Sequence, residues 1–347
     1  MRDYVPPRLS LAQTPTPVHK LARLSELLGG PEIWIKRDDL TGCAASGNKV
    51  RKLEFVLADA LRQGAQVIVT CGGIQSNHAR ATAVLARQLG LHPHLLLRGE
   101  PPADTPDGNF FLDLLAGATV TFVSPDDYRH RLDELFAEVR RQYETQGKRA
   151  YVIPEGASNE LGAFGYLRAT REIVEQLRLE GIRVNYVVTA VGSGGTLAGL
   201  LLGKRLYSLE AEVLGINVCE TADYFHERIL GIVRTVADRY HLGLGITPED
   251  VKIIDGYVGR GYAESRPEEL DLIRDLARLE GIILDPVYTG KAMFGLLDQI
   301  RRGRFAKSDR ILFLHTGGIF GLFAKRKEMN LAVEGAPSLG WKEPVSS

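Results

Sequence analysis

Strand-length apolar runs alternate with helix-length amphipathic patterns through most of the chain, and few architectures accept that order. Glu32–Lys36 reads as a strand. Asn48–Gln63 reads as a helix with Leu53, Val56, Leu57, Ala60 and Leu61 on one face. Gln66–Thr70 is a strand, Ser76–Leu89 a helix and His94–Leu97 a strand. A helix from Phe110 to Leu115 ends at Gly117. Val120–Val123 follows as a strand, then one long helix from about Pro125 to Gln146, then the strand Ala150–Ile153. The pattern restarts after Gly156: helix Leu161–Leu179, strand Tyr186–Ala190, a helix from Thr196, strand Glu212–Val218. Helices near Pro267–Glu280 and Gly290–Arg301 and a strand Arg310–His315 complete it. This order predicts an α/β protein with doubly wound, mostly parallel sheets, whose ligands bind beyond the carboxyl ends of strands. The length, 347 residues, suits two domains of roughly 150 residues each. No linker marks a boundary, so the chain is expected to cross between domains more than once. The residues from about Val333 read as an irregular arm.

Composition excludes several classes. Lys plus Arg and Asp plus Glu both number 43, so no basic face for nucleic acid is implied. No apolar run reaches the roughly 18 residues of a membrane span, and the first residues lack the apolar stretch of a signal peptide. The three cysteines, Cys43, Cys71 and Cys219, lie far apart and are odd in number, which points to reduced thiols and a cytoplasmic protein. No HExxH or Cys/His set suggests a metal, and His92 and His94 read as loop residues. A GxSxG nucleophile elbow is absent.

Five motifs carry chemistry. In Ser46-Gly47-Asn48-Lys49-Val50-Arg51-Lys52, Asn48 reads as an N-cap, which puts Lys49 in a first helical turn. The helix dipole and the like charges of Arg51 and Lys52 would depress its amine, as an amine that must act as a nucleophile requires. Taken alone, this motif fits a solvated surface lysine better. In Gly72-Gly73-Ile74-Gln75-Ser76-Asn77-His78, Ser76 could cap the helix or bind a carboxylate, and Asn77 could donate to a ligand oxygen. Gly192-Ser193-Gly194-Gly195-Thr196 opens a helix after a strand. It is a cradle for one phosphate, since it has neither the Lys-Ser/Thr of a P-loop nor the last glycine of the dinucleotide fingerprint. Asp285-Pro286-Val287-Tyr288-Thr289-Gly290-Lys291 and the upstream Tyr262 offer two tyrosines for a substrate pocket. His315-Thr316-Gly317-Gly318 ends a strand, where Thr316 could meet a ring nitrogen.

In this order the markers TPTPVHKL, IKRDDLTG, SGNKVRKLEF, GGIQSNHAR, GSGGT, LDPVYTGKA and HTGG resemble the family of 1-aminocyclopropane-1-carboxylate (ACC) deaminase and D-cysteine desulfhydrase. The resemblance runs from about Thr14 to Phe323. It implies a tryptophan-synthase-β-like fold, with residues 50–165 as a small domain and 1–49 with 166–347 as a large one. It implies pyridoxal 5′-phosphate as cofactor, Schiff-bonded to Lys49, with Asn77 at its phenolic oxygen and Gly192, Ser193, Gly194, Gly195 and Thr196 at its phosphate. Ser76, Asn77, His78, Tyr262 and Tyr288 fall at the substrate, and Lys49, Ser76, Tyr262 and Tyr288 take the catalytic roles. Family members are usually homodimers acting on small amino acids.

Two positions choose within the family. ACC deaminases resemble this chain less, because they carry Glu and Leu where it has Thr289 and Thr316. Both threonines match the desulfhydrase pattern. A carboxylate at the ring nitrogen would make the strong electron sink that opening a cyclopropane demands, whereas a neutral hydroxyl suffices when thiolate departs from Cβ. The expectation is therefore α,β-elimination, D-cysteine giving pyruvate, hydrogen sulfide and ammonia. L-Cysteate sulfo-lyase and ACC deaminase stay as alternatives, and a nucleotide-binding module without catalysis is the alternative from another class. The chain departs from the desulfhydrase pattern at Ser46, commonly Gly, and at Ile319-Phe320-Gly321, commonly Ala-Pro-Ala, which leaves the leaving group open.

Overall fold

The computed structural model describes residues 6–329 and 331. Strand β1 (Val18–Lys20) leads through α1 (Ala22–Leu28) to β2 (Glu32–Lys36) and α2 (Asn48–Arg62). Next come β3 (Val67–Gly73), α3 (Asn77–Gln88), β4 (His92–Arg98), α4 (Gly108–Leu115), β5 (Thr119–Val123), α5 (Pro125–His130), α6 (Leu132–Glu144) and β6 (Ala150–Val152). The chain continues through α7 (Glu160–Leu179), β7 (Tyr186–Val191), α8 (Gly195–Leu206), β8 (Glu212–Asn217), α9 (Ala222–Arg239) and β9 (Lys252–Ile254). Then follow α10 (Pro267–Glu280), α11 (Thr289–Arg301), β10 (Arg310–Leu314) and α12 (Phe320–Ala324).

The strands form two sheets. The smaller runs β5-β4-β3-β6, all parallel. The larger runs β1-β2-β10-β7-β8-β9, parallel except for β1. Each sheet has one place where the chain turns from winding one way to winding the other. In the small sheet it lies between β3 and β6, in the large sheet between β7 and β10. Loops leaving adjacent strands there diverge to opposite faces and open a crevice. The residues after β3, β6, β7 and β10 are thus the ones the topology brings to a ligand.

Helix α2 serves both sheets. Val50, Leu53, Val56, Leu57 and Ala60 join Ile68, Ala81 and Leu85 in the core of the small sheet. Phe55 enters the large core with Phe164, Leu167 and Leu197. Burying one such aromatic side chain contributes about 1.5–3 kcal/mol. Helix α7 lies along α2, and no side chain fits at Gly165, where an added Cβ would stand 2.6 Å from the carbonyl of Arg51. One charge of α2, Arg51, is also claimed. Arg51 pairs with buried Asp38 at 2.8 Å and with Glu172 of α7 at 2.9 Å, and Lys36 and Thr16 complete the cluster.

Several expectations are corrected. The long helix is broken at Arg131, which leaves helical geometry at φ −129°, and its side chain then ties Asp127 before the break to Glu134 after it. His92 and His94 are strand residues of β4, not loop residues. Cross-strand threonines take their rings, Thr119 at 2.8 Å and Thr121 at 2.9 Å, which makes an imidazole acceptable in a sheet. The N-cap of α2 is Gly47, at φ +94°, and Asn48 is the first helical residue. Asn48 gives its amide to Thr196 at 3.0 Å instead of capping. Helix α9, capped by Thr221 with Phe225, Ile229, Val233 and Val236 on its buried face, and the short strand β9 are not among the expected elements. The arm from Val333 lies outside the described residues. Among the described residues, no helix is long and apolar enough to cross a membrane.

Candidate active site

Two adjoining compartments lie in the crevice between the sheets, and both are lined by Lys49, Gly192, Ser193 and Tyr288. The inner one adds Asn48, Asn77, Gly194, Thr196 and Thr316. The outer one adds Ser76, His78, Arg98, Glu155, Cys219, Arg228 and Tyr262.

Lys49 sits in the first turn of α2, held there by backbone. The Asn48 N–H donates to the Thr316 carbonyl at 3.0 Å, and the Gly47 N–H to the Thr41 hydroxyl at 2.8 Å. Gly47 has to be glycine, because a Cβ would stand 2.6 Å from that Thr316 oxygen. Burial pulls the Lys49 amine down to about 8, opposed by Glu155 and then Cys219. The sequence gives the same direction from other causes, the helix dipole and neighbouring charge. In the fold Arg51 is neutralised by Asp38 and Glu172, and loss of water is what favours the free amine.

The inner compartment is built to take an anion. Gly194, at φ +83°, caps α8 and turns the N–H groups of its first turn toward the cavity. At Gly192 a Cβ would strike the Tyr288 ring, and at Gly195 it would meet the Ser158 hydroxyl at 2.6 Å. Ser158 accepts from the Gly195 N–H at 3.2 Å and from the Lys52 amine at 3.2 Å. Lys52 is fully buried, and no carboxylate pairs with it among the described residues. Burial, then the charges of Lys49 and Arg228, pull it well below the ordinary lysine range. A buried amine facing a glycine loop and a helix N-terminus lacks only the anion that would favour its charged form. A phosphate monoester supplies that anion, and an aldehyde on the same molecule would find the Lys49 amine beside it. The residues present therefore fit pyridoxal 5′-phosphate.

The orientation of Asn77 follows from its neighbours. Arg80 has only donors, so the Asn109 carbonyl oxygen faces it at 3.1 Å, and the Asn109 amide then donates to the Asn77 oxygen at 3.0 Å. The Asn77 N–H2 is left for the cavity. Ser76 is the N-cap of α3, accepting from the Ala79 N–H at 3.2 Å, so its own proton stays available. His78 donates from Nε2 to Thr70, because the Thr70 hydroxyl spends its proton on the Ile153 carbonyl at 2.8 Å. Burial, then Lys49 and Lys52, hold His78 neutral. The Tyr262 and Tyr288 hydroxyls are 3.0 Å apart. Burial raises both phenols, which keeps them protonated.

Thr316 lines the inner compartment, and its hydroxyl has no hydrogen bond among the described residues. Thr289, expected beside it, is fully enclosed and does not line the cavity. As the first residue of α11 it gives its hydroxyl to Asp285 at 2.7 Å and accepts the Asp285 N–H at 2.7 Å, so the turn consumes its bonding capacity. Among the described residues, no carboxylate lines the inner compartment.

The family model described as "Pyridoxal-phosphate dependent enzyme" matches residues 9–317. The chain belongs to this family of pyridoxal-phosphate-dependent enzymes. Within it, the chain is 46% identical over 327 residues to a D-cysteine desulfhydrase of Yersinia pestis, covering 92% of this chain and 96% of that one. It is 43% identical to a bifunctional D-cysteine desulfhydrase/1-aminocyclopropane-1-carboxylate deaminase, mitochondrial, of Arabidopsis thaliana, covering 92% and 80%. A solved ACC deaminase homologue superposes with a TM-score of 0.85 at 36% identity, covering 93% of this chain and 95% of that chain. The fold is thus the tryptophan-synthase-β-like one of these pyridoxal-phosphate enzymes.

Sequence reasoning missed Lys52, Ser158, Asn109, Glu155, Arg98 and Arg228. Lys52 had a signal. It lies three residues after Lys49 and so on the same helical face. The others reach the site from separate elements and loops far apart in sequence and carried none.

Proposed function

We propose that the protein eliminates sulfur from cysteine, D-cysteine foremost, giving pyruvate, hydrogen sulfide and ammonium. The observation that carries this reading is the inner compartment: a buried amine prone to neutrality, an uncompensated Lys52 for the phosphate, and Thr316 with no carboxylate where the ring nitrogen would rest. The cofactor, when bound, supplies an electron sink for the pair left at Cα. Lys49 is the base that takes the Cα proton, its amine being neutral above about pH 8. Ser76, at the N-terminus of α3, keeps its proton for the substrate carboxylate, and the helix end favours that negative charge. Tyr262 and Tyr288 stay protonated and hand a proton to the departing sulfur. The Cβ–S bond breaks with its electron pair on sulfur, and the unsaturated amine left behind is hydrolysed by water to pyruvate and ammonium.

The names of the relatives also support cleavage of ACC. Thr316 favours sulfur elimination over it, because a weakly polarised ring serves a thiolate leaving group better than a ring-opening step. The family resemblance supports a homodimer, and three unpaired cysteines support a reducing, cytoplasmic setting. The test is to incubate the holoenzyme with D-cysteine, L-cysteine and ACC in parallel. Sulfide and pyruvate from D-cysteine are expected. 2-Oxobutyrate from ACC with no sulfide from either cysteine would replace the proposal with the deaminase reading.

A further inference from the structure

Arg98 is the last residue of β4, beside Gly73 on the neighbouring strand, and it lines the outer compartment with Lys49, Ser76, Tyr262 and Tyr288. Its guanidinium lies over two phenol rings, 5.1 Å from the centre of Tyr128 and 4.9 Å from that of Tyr262. Among the described residues it has neither an ion-pair partner nor a hydrogen bond. Two carboxylates line the same compartment, Glu155 and Glu220; Glu155 accepts the Tyr128 hydroxyl at 2.8 Å, and among the described residues neither pairs with Arg98. A planar fork of donors fixed over aromatic faces, with its hydrogen bonds unspent, is arranged for an anion from outside the protein. The α-carboxylate is claimed by Ser76 and α3. The second negative charge of the proposed reaction develops on the β-substituent as the Cβ–S pair moves onto sulfur.

We infer that Arg98 is a specificity-determining residue that receives the β-substituent and stabilises the charge on the leaving sulfur. This rests on the elimination reading. Placed on Tyr262, the guanidinium also stands next to the phenol that returns a proton to that sulfur, so the two groups act on one atom. The substrate class it selects is amino acids whose Cβ carries a group that leaves as an anion needing stabilisation, thiolate above halide.

The test compares the wild-type holoenzyme with Arg98→Gln and Arg98→Lys. Binding is read by calorimetry with two D-amino acids that have no leaving group. D-Alanine lacks a β-substituent, and D-aspartate places a carboxylate there. Arg98→Gln is expected to weaken D-aspartate by about 10-fold or more and leave D-alanine within about 2-fold, as loss of one charge-assisted hydrogen bond requires. Arg98→Lys restores part of the loss. In turnover, kcat with D-cysteine falls about 10- to 100-fold, whereas kcat with 3-chloro-D-alanine, whose chloride leaves without help, changes little. Equal effects on D-alanine and D-aspartate, or equal falls for both leaving groups, overturn the inference. A wild type that makes no sulfide overturns the elimination reading instead, and the binding comparison still decides Arg98.

Discussion

Lys49 and Lys52 are one helical turn apart, both buried, and burial pulls both amines down. Lys49 is pulled to about 8, where a neutral amine is available at modest cost. Only the neutral amine attacks an aldehyde, so reincorporation of the cofactor into apoprotein should speed up as pH rises and level off above about 8. A lysine at its ordinary value would keep accelerating toward 10.5. Stopped-flow absorbance across pH 6.5–9.5, in roughly half-unit steps, reads the bend. Lys52 instead waits for an anion. Lys52→Met should weaken the cofactor by about 10- to 100-fold, the worth of a charge-assisted contact. The same change should leave the apoprotein no less stable, or about 1 kcal/mol more so, because a desolvated amine with no carboxylate partner among the described residues is gone. Equilibrium dialysis and urea unfolding of the apoprotein measure the two effects, and a destabilised apoprotein would contradict the role given to Lys52.

Helix α2 reaches its position by fitting against α7 with almost no clearance. Gly165→Ala should therefore lower stability by about 1–3 kcal/mol, because the methyl meets the Arg51 carbonyl and backbone has to move. The displaced backbone is the turn that carries Lys49, so the visible absorbance of the holoenzyme should shift in the same variant. What the sequence makes legible at this scale is whatever one element decides alone. Ser76 announces itself as a cap, the 192–196 glycines as a cradle, and Lys49 as a first-turn lysine, because each depends on neighbours within a few residues. The unread parts depend on distant chain. Asn109 turns Asn77 from 32 residues away, and Ser158 joins Lys52 to the glycine loop across 37 residues. Thr289 does not line the cavity, for a local reason that was open to reading. It stands four residues after a buried Asp285 that needs its hydroxyl.

Across the whole molecule, the cluster of Asp38, Arg51, Glu172 and Lys36 ties α2 to β2, to the turn that follows β2 and to α7. Burial alone would raise the carboxyls. Arg51 overrides it at Asp38, and Arg51 with Lys36 at Glu172, so both lie below their ordinary range. Carboxyls held below their unfolded values add stability that is complete above about pH 4 and drains away as pH falls through the folded values. Asp38→Asn should thus cost about 3 kcal/mol at neutral pH. The penalty should shrink below about pH 4, which chemical unfolding at several pH values would register. The doubly wound architecture was legible from the β–α order. The cluster was not, since Thr16, Asp38, Arg51 and Glu172 lie up to 156 residues apart. Helix α2, rooted in both cores, has one more effect. A residue on that helix is held by both cores at once. Ser76, Asn77 and Arg98 stand at the ends of small-sheet elements and Tyr262 and Tyr288 on the large-sheet side, while Lys49 stands on the helix the two share. The walls of the pocket can therefore be rebuilt for a different leaving group while the amine keeps its anchor.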